Sequence, residues 1–357
     1  MRPSRLAFRG LLVVGLLASF VAVRANSTLA NAAVSQQKRP KTTLDGAGST
    51  FQLPYTQSVI SAFKARYRTV TVRYVAIGSA TGFEEFSNGL VDFAGVDTPR
   101  ASEAAAAAKG GEYLYFPMVV APISVVFNVP DVDALRLSAD TLAGIFEGDI
   151  TVWDAPAIRA ENPNVSLPNL PVSVVHPSDR SGTTENFTKF LADAAPEAWT
   201  LGTGPTVQWF PGTEGAAGDY GVAQIVKTTP GTIGYVDYAD GRALGLAAAA
   251  VQNKSGAYIV PSLAAAGAAL VSTAINPDLT FDPMDGYQPD AYPITAPTWI
   301  LVYEHQPNAN RAAALKAWLR FVYTEGQQLA ESANYVALPD SLVKPAKAQI
   351  REIVAPS

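Results

Sequence analysis

Hydrophobic and polar positions follow two different periods along the chain, and the two periods alternate. Residues 70–76 show apolar side chains at every second position, the pattern of a half-buried strand. Phe187, Phe190 and Leu191 are separated by three and four positions, the spacing of one buried helix face. Because strand patterns and helix patterns alternate along the chain, the sequence predicts an α/β protein.

The same patterns predict further elements. A helix follows Pro54, a residue suited to a first helical turn, and an amphipathic helix covers 311–325. The apolar stretch 113–128 is interrupted by Pro117 and Pro122, so we expect a strand, a bend and a second strand. Helices are also predicted at 104–108, 137–146, 153–160 and 222–226, and a strand at 231–238.

Two long apolar segments indicate a division into two lobes. One covers 113–128 and the other 292–302, and we expect each to cross from one lobe to the other. The first lobe would comprise residues 42–119 and 297–357, and the second lobe residues 120–296. The first lobe would therefore be discontinuous in sequence and completed by the C-terminal helices.

The N-terminus has the pattern of an export signal. Three arginines precede an apolar run at 11–23, which is shorter than a typical transmembrane helix. Ala30-Asn31-Ala32 fits a small-x-small cleavage site. We therefore expect residues 1–32 to be a signal peptide, with an uncleaved anchor as the alternative. Residues 33–43 are expected to form a loose leader, and the protein to be periplasmic or extracellular.

Composition narrows the classes of function. The chain has 357 residues, long enough for two domains, and its net charge of −5 gives no support to nucleic-acid binding. There are no cysteines, which excludes disulfides and a lipid-modified N-terminal cysteine. The only histidines, His176 and His305, lie in unrelated segments. We therefore expect no metal site and no cofactor. His176 is a candidate functional residue, and a structural role is its alternative.

Three turns rich in glycine and hydroxyl side chains each precede a predicted helix. They are the first turn (45–51), the second turn (78–82) and the third turn (178–184). A helix N-terminus presents unpaired N–H groups and the positive end of the helix dipole. Three converging N-termini would bind a compact anion, whereas simple helix capping is the alternative for each turn alone.

Asp97 ends a predicted short strand at 91–97 and would be an unusual neighbour for a bound anion. A carboxylate repels an anion unless it accepts a proton from it. Hydrogen phosphate carries such a proton at neutral pH and sulfate does not, so one acid could select phosphate. A helix cap or a loop acid is the alternative role for Asp97.

The sequence predicts a binding protein rather than an enzyme. No serine lies in a G-x-S-x-G elbow, and neither a metal-ligand set nor a nucleophile–base pair is evident. A phosphatase-like hydrolase that uses the same anion site is the remaining catalytic alternative.

The motifs resemble those of the phosphate-binding proteins of bacterial ABC phosphate importers, over nearly all of the chain after the signal. The resemblance implies a two-lobed periplasmic-binding-protein type II fold with phosphate in the cleft between the lobes. It also implies a monomer with inorganic phosphate as ligand and an importer's permease and ATPase as partners. The stretches that carry it include Asp45–Phe51, Ile77–Gly82, Val91–Asp97, Asp179–Thr184 and Gly231–Ala239.

Carried over by motif position, the resemblance implies a set of phosphate-binding residues. Backbone N–H groups and hydroxyls would donate hydrogen bonds, and Asp97 would accept the phosphate proton. The residues are Thr50, Phe51, Ser79 and Asp97 on one lobe and Ser181, Gly182 and Thr183 on the other.

Pro177 departs from the family pattern. The family usually has an arginine at this position, which bonds phosphate and is held by the acid at Asp179. Arg180 is a candidate substitute, and a solvent-facing position is its alternative. Loss of one charge-assisted bond would weaken binding by about 1.5–3 kcal/mol, or about 10- to 100-fold. A homologue whose site has changed, binding another oxyanion or serving as a phosphate sensor or surface protein, is therefore a second functional reading.

Overall fold

The structure, a computed structural model, describes residues 41–100, 108–271 and 273–356. The predicted signal peptide and the predicted helix at 104–108, apart from Ala108, lie outside the described residues. The strands are β1 (Thr42–Gly48), β2 (Val70–Ala76), β3 (Phe93–Val96), β4 (Tyr113–Asn128), β5 (Arg136–Leu137), β6 (Ser173–Pro177), β7 (Glu214–Ala216), β8 (Thr232–Asp237), β9 (Ala247–Ala248), β10 (Ala250–Gln252), β11 (Tyr258–Ile259) and β12 (Thr295–Tyr303).

The helices lie between these strands and after them. They are α1 (Leu53–Arg66), α2 (Ser79–Ser87), α3 (Ala139–Glu147), α4 (Pro156–Glu161), α5 (Gly182–Ala194), α6 (Gly218–Thr228), α7 (Tyr238–Ala243), α8 (Leu263–Ala269), α9 (Ala309–Phe321) and α10 (Asp340–Gln349). A π-helical turn covers Val322–Gly326, and 3₁₀ turns cover Gln327–Leu329, Glu331–Ala333 and Ile350–Glu352.

A nine-stranded mixed sheet forms the framework. Its order is β2-β1-β3-β12-β4-β8-β6-β7, with β9 also paired to β4, while β11-β10-β5 form a smaller sheet. β1 pairs in parallel with β2 and β3, and β6 pairs in parallel with β7 and β8. β4 and β12 run antiparallel to each other between these two parallel groups. Strands and helices alternate along the chain, which confirms the predicted α/β class.

Strand β4 is continuous, so the predicted bend within 113–128 is wrong. Its register with β12 shifts beside Pro117, and Pro122 is the last residue of β4 that pairs with β12 before Ile123 begins the pairing with β8. A proline disrupts a ladder only where its missing N–H would have donated. Both prolines lie at places where the pairing is already interrupted, and the strand therefore continues past them.

Residues 42–48 form strand β1, whereas the sequence predicted the end of a leader and most of the first turn there. The sequence pattern predicts a leader up to residue 43, but Thr42–Gly48 pair with β2, and Gly46–Gly48 also pair with β3 on the other side. Glycine suits this central strand at Gly46, where a Cβ atom would lie 2.2 Å from the Phe93 ring. Pairing with two neighbours therefore overrides the weak strand preference of glycine.

The core confirms the predicted apolar faces. Phe187, Phe190 and Leu191 of α5 are fully buried, as are Leu315 and Trp318 of α9. The amphipathic helix predicted at 311–325 ends as an α-helix at residue 321 and continues as the π-helical turn. Helices predicted at 137–146, 153–160 and 222–226 correspond to α3, α4 and α6 within the usual uncertainty of boundaries. No helix in the described ranges has the length and apolar character needed to cross a membrane.

Candidate anion-binding site

All three predicted turns lead into helices. The first turn leads through Gln52 into α1, the second leads through Gly78 into α2, and the third leads through Ser181 into α5. The Ser181 hydroxyl oxygen accepts hydrogen bonds from the N–H groups of Thr183 and Thr184. Its side chain is therefore a helix cap. The hydroxyl hydrogen is not used by these bonds and can be donated to a ligand, whereas the Ser181 N–H already donates to the Pro205 carbonyl oxygen at 3.0 Å.

Asp97 joins the first and second turns. Its Oδ2 accepts hydrogen bonds from the hydroxyls of Ser49 and Ser79, at 2.7 and 2.9 Å. Its Oδ1 is buried and has no hydrogen-bond partner among the described residues. Burial raises the pKa of Asp97 to about 6, although the hydrogen bonds from the two serines oppose that rise. Asp97 is thus a buried acceptor with one free oxygen, and not the loop acid of the alternative reading.

The third turn packs directly against this acid. A Cβ atom at Gly182 would lie 2.4 Å from both Asp97 Oδ2 and Ser79 Oγ. The Asn186 side chain donates to the Asp97 carbonyl oxygen at 2.9 Å, and the N–H of Ala80 donates to the Arg180 carbonyl oxygen at 3.2 Å. The sequence-predicted residues of the second and third turns are therefore in contact.

Thr50 and Thr183 meet at Asp219, in the first turn of α6, a residue that lies outside the sequence motifs. The two hydroxyls donate to Asp219 Oδ2, at 3.3 and 3.0 Å respectively. Gly218 is close to Thr50, with a Cβ position 3.1 Å from the threonine methyl. The sequence signal for this part of the site was the glycine-rich segment before a predicted helix, the same signal that identified the three turns.

Phe51 lies behind the first turn and is fully buried. Its ring packs edge-to-face on Tyr335, and the Tyr335 hydroxyl donates to the Phe51 carbonyl oxygen at 2.5 Å. The side chain therefore fixes the turn in the core, and only its backbone N–H is suited to the ligand contact that the resemblance implied.

Asp179 occupies the place expected for the acid of the motif, but its partner is not a cation. Its Oδ1 accepts from the N–H of Gly218 at 3.0 Å, and its Oδ2 is buried without a partner in the described structure. Burial raises its pKa, and the hydrogen bond from Gly218 opposes that rise. Pro177, two residues earlier, is buried at the end of β6 opposite Ala216.

Arg180, the candidate substitute for the arginine that Pro177 lacks, lies at the protein surface. Its guanidinium pairs with Glu84 on α2 at 2.8 Å, and the Arg180 side chain is 52% exposed. The position of Arg180 is therefore that of the solvent-facing alternative. Glu84 on α2 is the carboxylate with which Arg180 pairs, while Asp179 accepts from the backbone N–H of Gly218.

His176 has a structural role, which was the alternative to a functional one. Its ring stacks on Trp209 with centroids 4.8 Å apart, and its Nδ1 lies 2.9 Å from the Pro177 carbonyl oxygen. Burial lowers its pKa. Over the described ranges, no group of three or more histidine, cysteine or acidic side chains could hold a metal ion.

The site as assembled combines hydroxyl and backbone donors with three carboxyl groups, those of Asp97, Asp179 and Asp219. Asp97 is the one for which proton acceptance from a ligand was predicted. Arg100, whose charge lowers the pKa of Asp97, is paired with Glu185 at 2.9 Å. An anion bound here would therefore be held mainly by hydrogen bonds.

Comparison with known proteins assigns the chain to a family. The family model described as the PBP superfamily domain matches residues 33–325. The phosphate-binding protein PstS 3 of Mycobacterium tuberculosis is 34% identical over 310 residues, covering 84% of both chains. The phosphate-binding protein PstS of Xylella fastidiosa (strain Temecula1) is 35% identical over 331 residues, covering 90% of this chain and 87% of that protein.

Solved structures with low sequence identity show the same fold. The high-affinity periplasmic phosphate-binding protein PfluDING, bound with phosphate, superposes with a TM-score of 0.71 at 21% identity, covering 86% of this chain and 93% of the other. A phosphate-binding protein from Stenotrophomonas maltophilia superposes with a TM-score of 0.69 at 19% identity, with coverage of 86% and 93%. The chain therefore belongs to the PBP superfamily and, within it, to the PstS family of phosphate-binding proteins.

Proposed function

We propose that this chain captures inorganic phosphate and delivers it to an ABC importer. One observation carries the proposal: Asp97 Oδ2 is held by Ser49 and Ser79 while its Oδ1 is left free beside three helix starts. That free oxygen can accept a proton from hydrogen phosphate. Relatives at 33–35% identity are named phosphate-binding proteins, which supports the same ligand.

The proposed ligand contacts are those implied by the motifs, with some roles restricted by the structure. Ser181 would act through its hydroxyl hydrogen, because its N–H is already donated to the Pro205 carbonyl oxygen. Phe51 would act through its backbone N–H, because its side chain fills the core. Thr50 and Gly182 would offer backbone N–H groups at helix starts, where the dipole and unpaired donors favour an anion. The hydroxyl oxygens of Thr50 and Thr183 would line the ligand while their hydrogens stay on Asp219. The other two proposed residues are Ser79 and Asp97.

A cleft between two lobes would enclose the ligand. The proposed lobes are residues 42–119 with 297–357, and residues 120–296. In support, β4 pairs with β12 up to Pro122 and with β8 from Ile123, so it takes part in both parallel groups of the sheet. We further propose a monomer that is exported, either periplasmic or released, and that docks on a permease and its ATPase.

Calorimetry on the purified protein tests the ligand. We expect one phosphate per chain with little heat from sulfate at equal concentration. Absence of phosphate binding, or equal affinity for the two anions, contradicts the proposal. The altered-site reading, motivated by Pro177, predicts instead that another oxyanion binds more tightly than phosphate, so a panel with arsenate and sulfate separates the two.

A further inference from the structure

Asp219 lies where the first and third turns meet, and the sequence motifs give it no role. It belongs to the first turn of α6 and is fully buried. Its Oδ2 accepts the hydroxyls of Thr50 and Thr183, whereas its Oδ1 is buried and has no partner in the described part of the chain. A carboxyl oxygen is therefore left free beside two hydroxyls that we propose contact phosphate.

The surroundings of Asp219 disfavour a negative charge on it. The groups that face it from neighbouring segments are themselves acidic, so none of them stabilises a carboxylate. They are Asp97 after β3, Asp179 before α5, Tyr235 and Asp237 of β8, Asp240 of α7, and Tyr335 after the 3₁₀ turn Glu331–Ala333. Arg180 and Arg100, from two of those segments, are already paired with Glu84 and Glu185.

Helix α6 exerts an opposing effect that is weaker. Its N-terminus favours negative charge in its first turn, but this effect is smaller than the penalty for burying an unpaired carboxylate. Burial, followed by the charges of Asp240 and Asp179, raises the pKa of Asp219 well above the usual range of an aspartate. Because Oδ2 already accepts two hydrogen bonds, Oδ1 is the oxygen that carries the proton.

We propose that Asp219 is a further ligand-binding residue, which donates a hydrogen bond from a protonated Oδ1 to an unprotonated oxygen of phosphate. The inference rests on the proposed function of the site. A neutral donor thus takes the role that a charged arginine at position 177 would have had. Asp97 accepts from the ligand O–H and Asp219 donates to a bare oxygen, so together they fit an anion that has both.

This arrangement makes phosphate capture depend on pH. When Asp219 loses its proton on the alkaline side, the donor disappears and a second buried charge repels the anion. Phosphate and Asp97 also titrate, so the dependence of the unaltered protein alone does not identify Asp219. The variant Asp219→Asn isolates it, because an amide keeps one acceptor for the threonines and one donor for the ligand at every pH.

The experiment measures phosphate affinity of the unaltered protein and of Asp219→Asn by calorimetry between about pH 5.5 and about pH 8.5. We expect equal affinities within about threefold at the acidic end and about tenfold or tighter binding by the variant at the alkaline end. Calorimetry in two buffers of different ionisation enthalpy measures the protons taken up on binding. At alkaline pH, the unaltered protein should take up more protons on binding phosphate than Asp219→Asn does. Melting curves of both proteins at each pH check that they are folded.

The possible outcomes are distinguishable. If the unaltered protein binds no phosphate at any pH, the proposed function fails. If it binds phosphate and the two pH profiles remain parallel, Asp219 only links Thr50 to Thr183 and the inference is overturned. If Asp219→Asn binds more weakly at every pH, the proton of Asp219 has no role as a donor, and the inference is again overturned.

Discussion

Gly182 lies so close to Asp97 that a Cβ atom at position 182 would be 2.4 Å from the Asp97 Oδ2. The contact joins the third turn to the acid held by the first and second turns. The absence of a side chain at position 182 is therefore what allows the hydroxyl and N–H donors of all three turns to reach one place.

Gly182→Ala should separate the third turn from Asp97. Overpacking of this kind costs about 1–3 kcal/mol, so we expect phosphate affinity to fall about tenfold or more, as measured by calorimetry. Gly267→Ala is the matched control, because Gly267 also lies in a helix and its nearest neighbour to an added Cβ atom is 4.0 Å away. Equal affinities of the two variants would contradict the close approach seen here.

Asp97→Asn should weaken phosphate selectivity. The amide can donate to a bare oxygen, so sulfate no longer faces an unpaired acceptor, while phosphate loses a charge-assisted bond worth about 1.5–3 kcal/mol. We expect the ratio of phosphate to sulfate affinity to fall about tenfold or more in competition titrations. Asp285→Asn, the same change at a buried acid that pairs with Lys254 and lies outside the three turns, should leave the ratio unaltered.

Pro177→Arg should strengthen phosphate binding. The buried Oδ2 of Asp179 has no partner and could hold the new guanidinium. One added charge-assisted bond corresponds to about 10- to 100-fold in affinity. Pro177→Leu removes the proline without adding charge and is the control. A gain shared by both variants would assign the effect to the backbone, and no gain in either would mean that Pro177 is not the defect inferred from the motif.

Arg180→Ala should change phosphate affinity by no more than about threefold, because exposed ion pairs contribute about 0–1 kcal/mol. The guanidinium of Arg180 is engaged with Glu84 at the surface. Arg66→Ala, which breaks a comparable exposed pair with Glu325, is the control for nonspecific loss of positive charge. A tenfold loss confined to Arg180→Ala would show that this guanidinium reaches the ligand.

The ligand-free protein should become less stable as pH rises. A folded-state pKa above the unfolded value means that the native state holds a proton that the unfolded state releases, so the free energy of unfolding falls with rising pH. For Asp97 this occurs between the usual aspartate pKa of about 4 and about 6, and amounts to about 3 kcal/mol. Asp219, whose pKa is also raised, extends the decline to higher pH.

Melting temperatures in phosphate-free buffer between about pH 4.5 and about pH 8 measure this decline. We expect Asp97→Asn to flatten the part of the curve below about pH 6, because the amide does not titrate. A melting temperature of the unaltered protein that rises from acidic to alkaline pH would contradict the expectation.

Much of the fold followed from local pattern. The spacing of Phe187, Phe190 and Leu191 predicted the buried face of α5, because burying an apolar stripe fixes which side of a helix faces the core. Strand β1 was missed, because a glycine-rich segment reads as a turn until both of its pairing partners are known. The continuity of β4 was missed for a similar reason, since the cost of a proline depends on whether its partner strand needs an N–H.

Part of the candidate site could likewise be predicted from the sequence, and part of it could not. Residue type and local spacing were sufficient to predict three helix starts with hydroxyl and N–H donors and the acid Asp97. The resemblance to the family identified Pro177 as a position that lacks an arginine. The pairing of Arg180 with Glu84, and the link that Asp219 makes between Thr50 and Thr183, are seen only in the folded chain. Those relationships link segments far apart in sequence, and the packing of the sheet and helices, rather than any local pattern, brings such segments together.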